Sequence, residues 1–591
     1  MRGIDVTEAE RILCGVLADL FAVPEVGPQD GFVRLGGDSI IAVQVVGAAR
    51  RAGLRITVRD VLTLPDVAAL AAAALPSARS VRPGDDGDGG GVGPVRPTPV
   101  MRWLDERGGP ADRYYQYLVV RTPAGLTGQG AAEVLQAVLD RHDMLRVVRD
   151  GSGWRTRPAG SVRAGQCLRR VATEGREATP EEVAREVHAA RDRLSVEGGV
   201  IVQAVWFDAG SGQPGALALV VNHVVVDGIS WRVLTGDLGR AWEAVAAGRA
   251  PAGALDPVGT SFRRWSELLT AEAAGERAAA EAAYWSGVVR PGAGIAGRRP
   301  LDAARDHEDR AAHLALSLPA ATAGPLLTSV ADRLGADANE VLLTGLSLAL
   351  ARWRPCGPEV LVELEGHGRE DIGAEADLSR TVGWFTTLFP TRFALAGLAA
   401  ADAEDGGPTA AEALRRVREQ LRAVPRKGIG YGLLRHLDPV TGGVLAAAEP
   451  AGIGFNYLGR LGGPGGGGDW QLLPAHGARL DAPGPGMPMA HAVEVSAFVL
   501  ESADGPVLHA DWAWADGVHD EAEVRALAED WFRMLGALVV LADRTGPAAP
   551  SAAASGGPYT VSPAVPPASG LALDAIGQDE LDDLAASLGL L

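Results

Sequence analysis

The 591-residue sequence predicts a small all-α domain of four-helix type, a flexible tether, and a larger α/β domain in two lobes. Three observations predict it. The length exceeds what one hydrophobic core normally organises. The apolar periodicity over residues 1–76 is helical and lapses into a Gly, Pro, Ser and Asp-rich run over 77–95. Beyond that run, apolar strands alternate with helical stretches, which is a layered α/β pattern.

In chain order, residues 7–21 carry Ile12, Leu13, Val16, Leu17 and Leu20 on one stripe, with Thr7 and Glu10 at capping-box spacing. A second helical pattern follows Asp38 and a third runs over 67–74. The tether includes the string GDDGDGGG, which cannot bury enough apolar surface to order itself. From 96 to 547 strands are predicted at 115–120, 200–207, 216–226, 360–365 and 492–500. Helices are predicted at 131–140, 231–246, 340–353, 410–424 and 520–541. Their spread suggests lobes of about 96–285 and 286–547. Residues 548–591 are a low-complexity tail closing on DELDDLAASLGLL, where Leu581, Leu584 and Leu588 share one side of a possible docking helix; a solvated tail is the alternative.

Composition narrows the function. Net charge is −19, the wrong sign for a nucleic-acid binder, and no apolar run approaches the ~20 residues of a membrane span. No secretory signal pattern opens the sequence, so a cytoplasmic location is expected. Cys14, Cys167 and Cys356 are far apart, without CxxC or Cys/His spacing, so neither a disulfide framework nor a zinc site is expected. His367 follows Glu365 by two residues, but no third metal ligand has suitable spacing. Among 55 basic residues only Lys427 is lysine.

Two strings carry chemistry. Leu35-Gly36-Gly37-Asp38-Ser39-Ile40 is a glycine turn delivering a serine at a helix start; alone it is an ordinary N-cap. Placed between the first two helices of a small bundle, it resembles the attachment motif of peptidyl carrier proteins. That resemblance implies 4'-phosphopantetheine on Ser39. Val221-Asn222-His223-Val224-Val225-Val226-Asp227-Gly228 puts a histidine inside an apolar strand, where it is ordinarily a satisfied core residue. The string resembles the HHxxxDG motif of the condensation superfamily, whose two lobes resemble chloramphenicol acetyltransferase. His223 matches the second histidine, in a tunnel between the lobes, and Asp227 the bracing aspartate. Asn222 replaces the first histidine. If the chain is extended there, Asn222 points away from His223 and supports the site from behind.

The second half separates epimerases from condensation enzymes. Glu365-Gly366-His367-Gly368-Arg369-Glu370, Thr381-Val382-Gly383-Trp384-Phe385-Thr386, Lys427-Gly428-Ile429-Gly430-Tyr431-Gly432 and Phe455-Asn456-Tyr457-Leu458-Gly459 resemble epimerase motifs in family order. The strings at 141–146, 261–265 and 284–285 add to it. The resemblance implies an epimerization domain that inverts Cα of a carrier-bound aminoacyl or peptidyl thioester. His223 and Glu365 are then the acid/base pair on opposite faces, and Asn456 and Tyr457 lie near the thioester. Lys427, the single exception to arginine, is either incidental or lies near the tunnel, contacting the arm's phosphate or ordering the 428–432 loop.

The partners implied are a phosphopantetheinyl transferase, an adenylation enzyme loading in trans, and a downstream condensation domain. Two rival readings are an amide-forming condensation domain and a catalytically silent carrier-docking module.

Overall fold

The computed structural model describes residues 6–76 and 90–545, apart from positions 22, 33, 38, 354–355, 374–375, 400, 462–467, 474–477, 480–484 and 503. The proposed docking segment in the 548–591 tail lies outside the described residues.

Four helices form the amino-terminal bundle: Val6–Phe21, Ser39–Arg51, Val58–Thr63 and Val67–Ala73. Leu13, Leu17, Phe21, Phe32, Val45, Ala49, Val61 and Leu70 meet in its core. Six residues are too few for periodicity to reveal the third helix. Its signal is a capping box, in which Thr57 and Asp60 satisfy each other's backbone N–H groups.

The end of the expected tether is structured. Gly93–Val95 pairs antiparallel with Gly153–Thr156, and Val95 is buried in the first-lobe core. Burial of that one valine draws the chain into the lobe before residue 96.

The first lobe holds a five-stranded sheet in the order Ala478–Arg479, Tyr115–Thr122, Gly215–Asn222, Val202–Asp208, Leu168–Ala172. Its Val and Leu residues pack against the helices Gly128–Arg141 and Gly228–Ala246. The second lobe holds a six-stranded sheet in the order Ala312–Leu318, Gly505–Trp514, Val493–Ser502, Ile453–Leu461, Glu359–Gly366, Thr387–Ala394. Two of its pairings are parallel, and the buried helices Ala338–Arg352 and Glu521–Thr545 cover one face. That leaves the opposite face for the seam.

The chain crosses the seam. Arg121 N–H donates to Gln471 O at 2.9 Å and Leu473 N–H to Val119 O at 2.8 Å, so a piece of the second half completes the first sheet. Ile372, Leu378, Val382, Trp384 and Phe385 also join the first-lobe core. The division near residue 285 therefore describes the sheets but not the cores.

The amino-terminal bundle rests on the 376–379 segment. Arg50 Nη1 donates to Ala376 O at 2.8 Å, and Arg51 Nη1 lies 3.5 Å from Ser379 Oγ. Gly47 makes this approach possible, because a Cβ there would stand 2.0 Å from Ser379 Cβ.

Candidate active site

His223 sits where the Gly215–Asn222 strand ends and a single 3-10 turn, His223–Val225, begins. The ring is clamped on two sides. Tyr114 stacks on it with centroids 4.9 Å apart and planes 16° apart, and Trp384 lies 4.7 Å away. Its Nδ1 is 2.8 Å from Val226 O, and its Nε2 is 3.1 Å from Gln116 Nε2. A carbonyl only accepts, so Nδ1 carries the hydrogen. Gln116 Oε1 accepts from Trp231 Nε1 at 2.7 Å, which turns the Gln116 amide N–H toward His223. Nε2 therefore presents a lone pair. Burial drives the imidazole down to about 4, so the ring is neutral at pH 7.

Asn222 is fully buried behind this ring. Its Nδ2 donates to Ala111 O at 2.8 Å and its Oδ1 accepts from Val224 N at 3.1 Å, which fixes the turn carrying His223. Asp227 caps the Gly228–Ala246 helix through Ser230 N at 2.7 Å. It also accepts from Arg369 Nη2 at 3.0 and 3.1 Å and from Phe385 N at 3.2 Å. Arg369 is fully buried and donates further to Leu378 O and Thr381 O. Asp227 thus ties the histidine motif to the chain that follows Glu365, through a guanidinium the sequence reading did not single out.

Glu365 is on the Glu359–Gly366 strand, where Val360, Val362 and Leu364 enter the second core and Glu363 and Glu365 alternate to the face turned to the first lobe. Leu364 is in register with Phe455, so Glu365 and Asn456 come side by side on that face. Tyr457 alternates to the opposite face and packs against the second core. The Lys427 side chain is exposed, and its carbonyl approaches Gly366 beside Glu365. Lys427 holds a left-handed φ of 55°. Among the described residues no cluster of three His, Cys, Asp or Glu side chains could hold a metal ion.

Tyr114 links the two halves. Stacked on His223, it lies in the field of Arg107, Glu365, Glu308 and Glu494; burial, foremost, raises its hydroxyl well above the usual phenol value and keeps it protonated. Below it runs a buried charge cluster. Arg107 pairs with Glu308, and His491 is 3.1 Å from both Glu363 and Glu494. Burial, then Glu494, pushes Glu308 up to about 8. Burial opposes a charged His491, but its two carboxylates outweigh that and carry it to about 10. Sequence reasoning missed Tyr114, Gln116 and this cluster, and had Trp384 only within the 381–386 motif, without its contact to His223. Gln116, a polar residue inside YYQYLVV, was the available signal for one of them.

The expected attachment turn is shaped by its two glycines. Gly36 holds φ +89°, a Cβ on Gly37 would meet the Phe32 ring at 2.4 Å, and Ser39 opens the next helix. This turn admits only glycines and places Ser39 at its exit.

A carrier bundle docked against two lobes with a neutral histidine at their seam defines a carrier-dependent enzyme. Residues 106–444 match the condensation-domain family and residues 11–74 the phosphopantetheine attachment site. The chain therefore belongs to the condensation-domain family, as a carrier-linked condensation/epimerization didomain of the nonribosomal peptide synthetase kind. Its carrier domain takes covalently attached 4'-phosphopantetheine.

A linear gramicidin synthase polypeptide of Brevibacillus parabrevis is 33% identical over 90% of this chain, and chondramide synthase of Chondromyces crocatus 31% over 88%. The chain spans only 7% and 13% of their lengths. Among solved structures, the epimerization domain from the third module of tyrocidine synthetase B superposes with a TM-score of 0.65 at 22% identity, over 78% of this chain and all of that one. The first condensation domain of the calcium-dependent antibiotic synthetase gives 0.52 at 20%, over 77% and 97%. Both establish the two-lobed, chloramphenicol-acetyltransferase-like fold. No helix among the described residues is long and apolar enough to cross a membrane.

Proposed function

We propose that the 96–547 domain inverts the α-carbon, L to D, of an aminoacyl or peptidyl group held as a thioester on Ser39. The observation that supports this reading is the placement of His223 at the end of a first-lobe strand, stacked on Tyr114, and of Glu365 beside Asn456 on the second-lobe sheet. Inversion needs that arrangement: one group removes the α-proton from one face and a second returns a proton to the other.

The bound arm supplies the thioester that acidifies the α-hydrogen. The chain's residues do the rest. Val226 O holds Nδ1–H, so the lone pair at His223 Nε2 is the basic atom, and the Gln116 N–H marks the place where a substrate hydrogen is presented. Glu365 serves the opposite face. Each positioned proton transfer contributes roughly 10²–10⁴-fold. Asn456, beside Glu365, is placed to donate to the thioester oxygen as negative charge collects there. Asp227 and Arg369 hold the lobes in register, and Asn222 holds the His223 turn. A phosphopantetheinyl transferase installs the arm, an adenylation enzyme loads it, and a downstream condensation domain accepts the inverted group.

The family name itself favours a second reading, amide formation with His223 as sole base. Loading the phosphopantetheinylated protein with an L-aminoacyl group in deuterium oxide separates the two. Deuterium at Cα together with a D product supports inversion. An amide formed with an added acceptor, without label at Cα, supports condensation and overturns the proposal.

A further inference from the structure

We infer that Arg460, with Arg232 beside it, receives the phosphodiester of the prosthetic arm when the carrier domain is docked. The inference rests on Ser39 as the attachment residue. In the carrier domain, Gly36 lies three residues before Ser39, and a Cβ on Gly36 would meet the Arg460 guanidinium at 3.7 to 3.9 Å. Three residues span at most about 11 Å, so the chain carrying the arm starts within side-chain reach of that guanidinium.

The site has the right charge. Arg232, on the first turns of the Gly228–Ala246 helix, donates through Nη2 to the Arg460 carbonyl at 3.2 Å, which brings a second positive charge to residue 460. Arg460 now donates through Nη1 to Glu501 at 2.5 Å, but both side chains are partly exposed, at 25% and 40%. A pair that open to water contributes little, and the guanidinium fork has donors left for a phosphate oxygen. Three carrier arginines donate elsewhere: Arg34 to Gln29 O, Arg50 to Ala376 O and Arg51 to Ser379 Oγ.

The path inward also fits. Arg460 and Asn456 lie on one strand, Ile453–Leu461, separated by four residues with a register shift between Tyr457 and Arg460. At ~3.3 Å per residue that is roughly 13 Å, shortened by the bulge. Phosphate at Arg460 and thioester beside Asn456 and Glu365 would lay the arm along this strand. The phosphate contact expected of Lys427 is thereby assigned to an arginine on the Ile453–Leu461 strand.

Phosphorus NMR of the phosphopantetheinylated full chain tests this without any turnover. Mass spectrometry should show one arm on the wild type and equally on Arg460→Ala, because Arg460 is not in the carrier domain. The wild-type phosphodiester signal should relax as part of the whole molecule. In Arg460→Ala it should relax at about half that rate, as an arm freed to move faster, and Arg460→Lys should fall between. Glu501→Gln, which removes only the competing carboxylate, should leave the signal as broad as wild type. Identical relaxation in wild type and Arg460→Ala would overturn the clamp. An arm on Ser39→Ala would instead overturn the attachment residue, and the clamp with it.

Discussion

Tyr114 and His223 are joined twice: their rings stack 4.9 Å apart, and the His223 amide donates to the Tyr114 carbonyl at 2.8 Å. Tyr114 directly precedes the Tyr115–Thr122 strand and His223 directly follows the Gly215–Asn222 strand, so each end positions the other, and the Tyr114 hydroxyl lies in the field of Arg107 and Glu365. Tyr114→Phe keeps the stack and removes only the hydroxyl. Cα exchange should slow by about tenfold or more, about 1.4 kcal/mol of barrier, while the unfolding midpoint stays near wild type. Equal exchange rates would show the hydroxyl to be a bystander.

Gln116 holds its neutral amide 3.1 Å from His223 Nε2. Gln116→Glu puts an opposite charge beside the imidazolium, which favours the protonated ring. His223 should then titrate well above its present value of about 4, and the acid limb of the exchange profile should move to higher pH with it. An NMR titration of the His223 ring in both proteins measures the shift; no change would mean that Gln116 does not face that nitrogen in solution.

Asn222 supports the turn rather than the chemistry, through Ala111 O and Val224 N. Asn222→His should change the inversion rate by less than about tenfold. Asn222→Ala leaves the buried Val224 N–H without its partner, which costs about 1–3 kcal/mol, while Ala111 O keeps the Tyr114 N–H. Denaturant unfolding should show that loss. An inactive wild type rescued by Asn222→His would favour the silent-module reading.

The buried charges predict an alkaline decline in stability. His491 titrates near 10 when folded, above the ~6.5 of an unfolded histidine, so its contribution is complete below pH 6.5 and is lost as pH rises toward 10. Glu308, raised to about 8, binds a proton more tightly when folded and adds a loss in the same direction between about pH 4.5 and 8. His223 and His509, both lowered to about 4 by burial, act oppositely: their contribution is present above pH 6.5 and is lost as pH falls toward 4. Unfolding free energies at pH 6.5 and 9.5 should differ, and His491→Gln should shrink the difference. An unchanged difference would show that His491 is not charged in the folded protein.

The sequence made the element order legible because its strands and helices are long and strongly patterned. The predicted 360–365 strand is found as Glu359–Gly366, and the 231–246 helix as Gly228–Ala246. His223, Asp227 and Glu365 were legible as strings. Their supporting partners were not, since Arg369 lies 142 residues from Asp227 and Gln116 lies 107 from His223, and no local pattern encodes such a pairing. The crossing segment was hidden for another reason. Gln471–Leu473 follows a glycine-rich run and becomes strand-like only by completing the edge of another lobe's sheet.

The most direct test of the central claim compares His223→Ala and Glu365→Gln, both carrying one arm and one L-aminoacyl group, for Cα deuterium uptake and for chirality at the same times. The account predicts that neither variant accumulates D product, while one retains label uptake with the L configuration, because a site with two proton paths can lose one and keep the other. Normal inversion in both variants would contradict it.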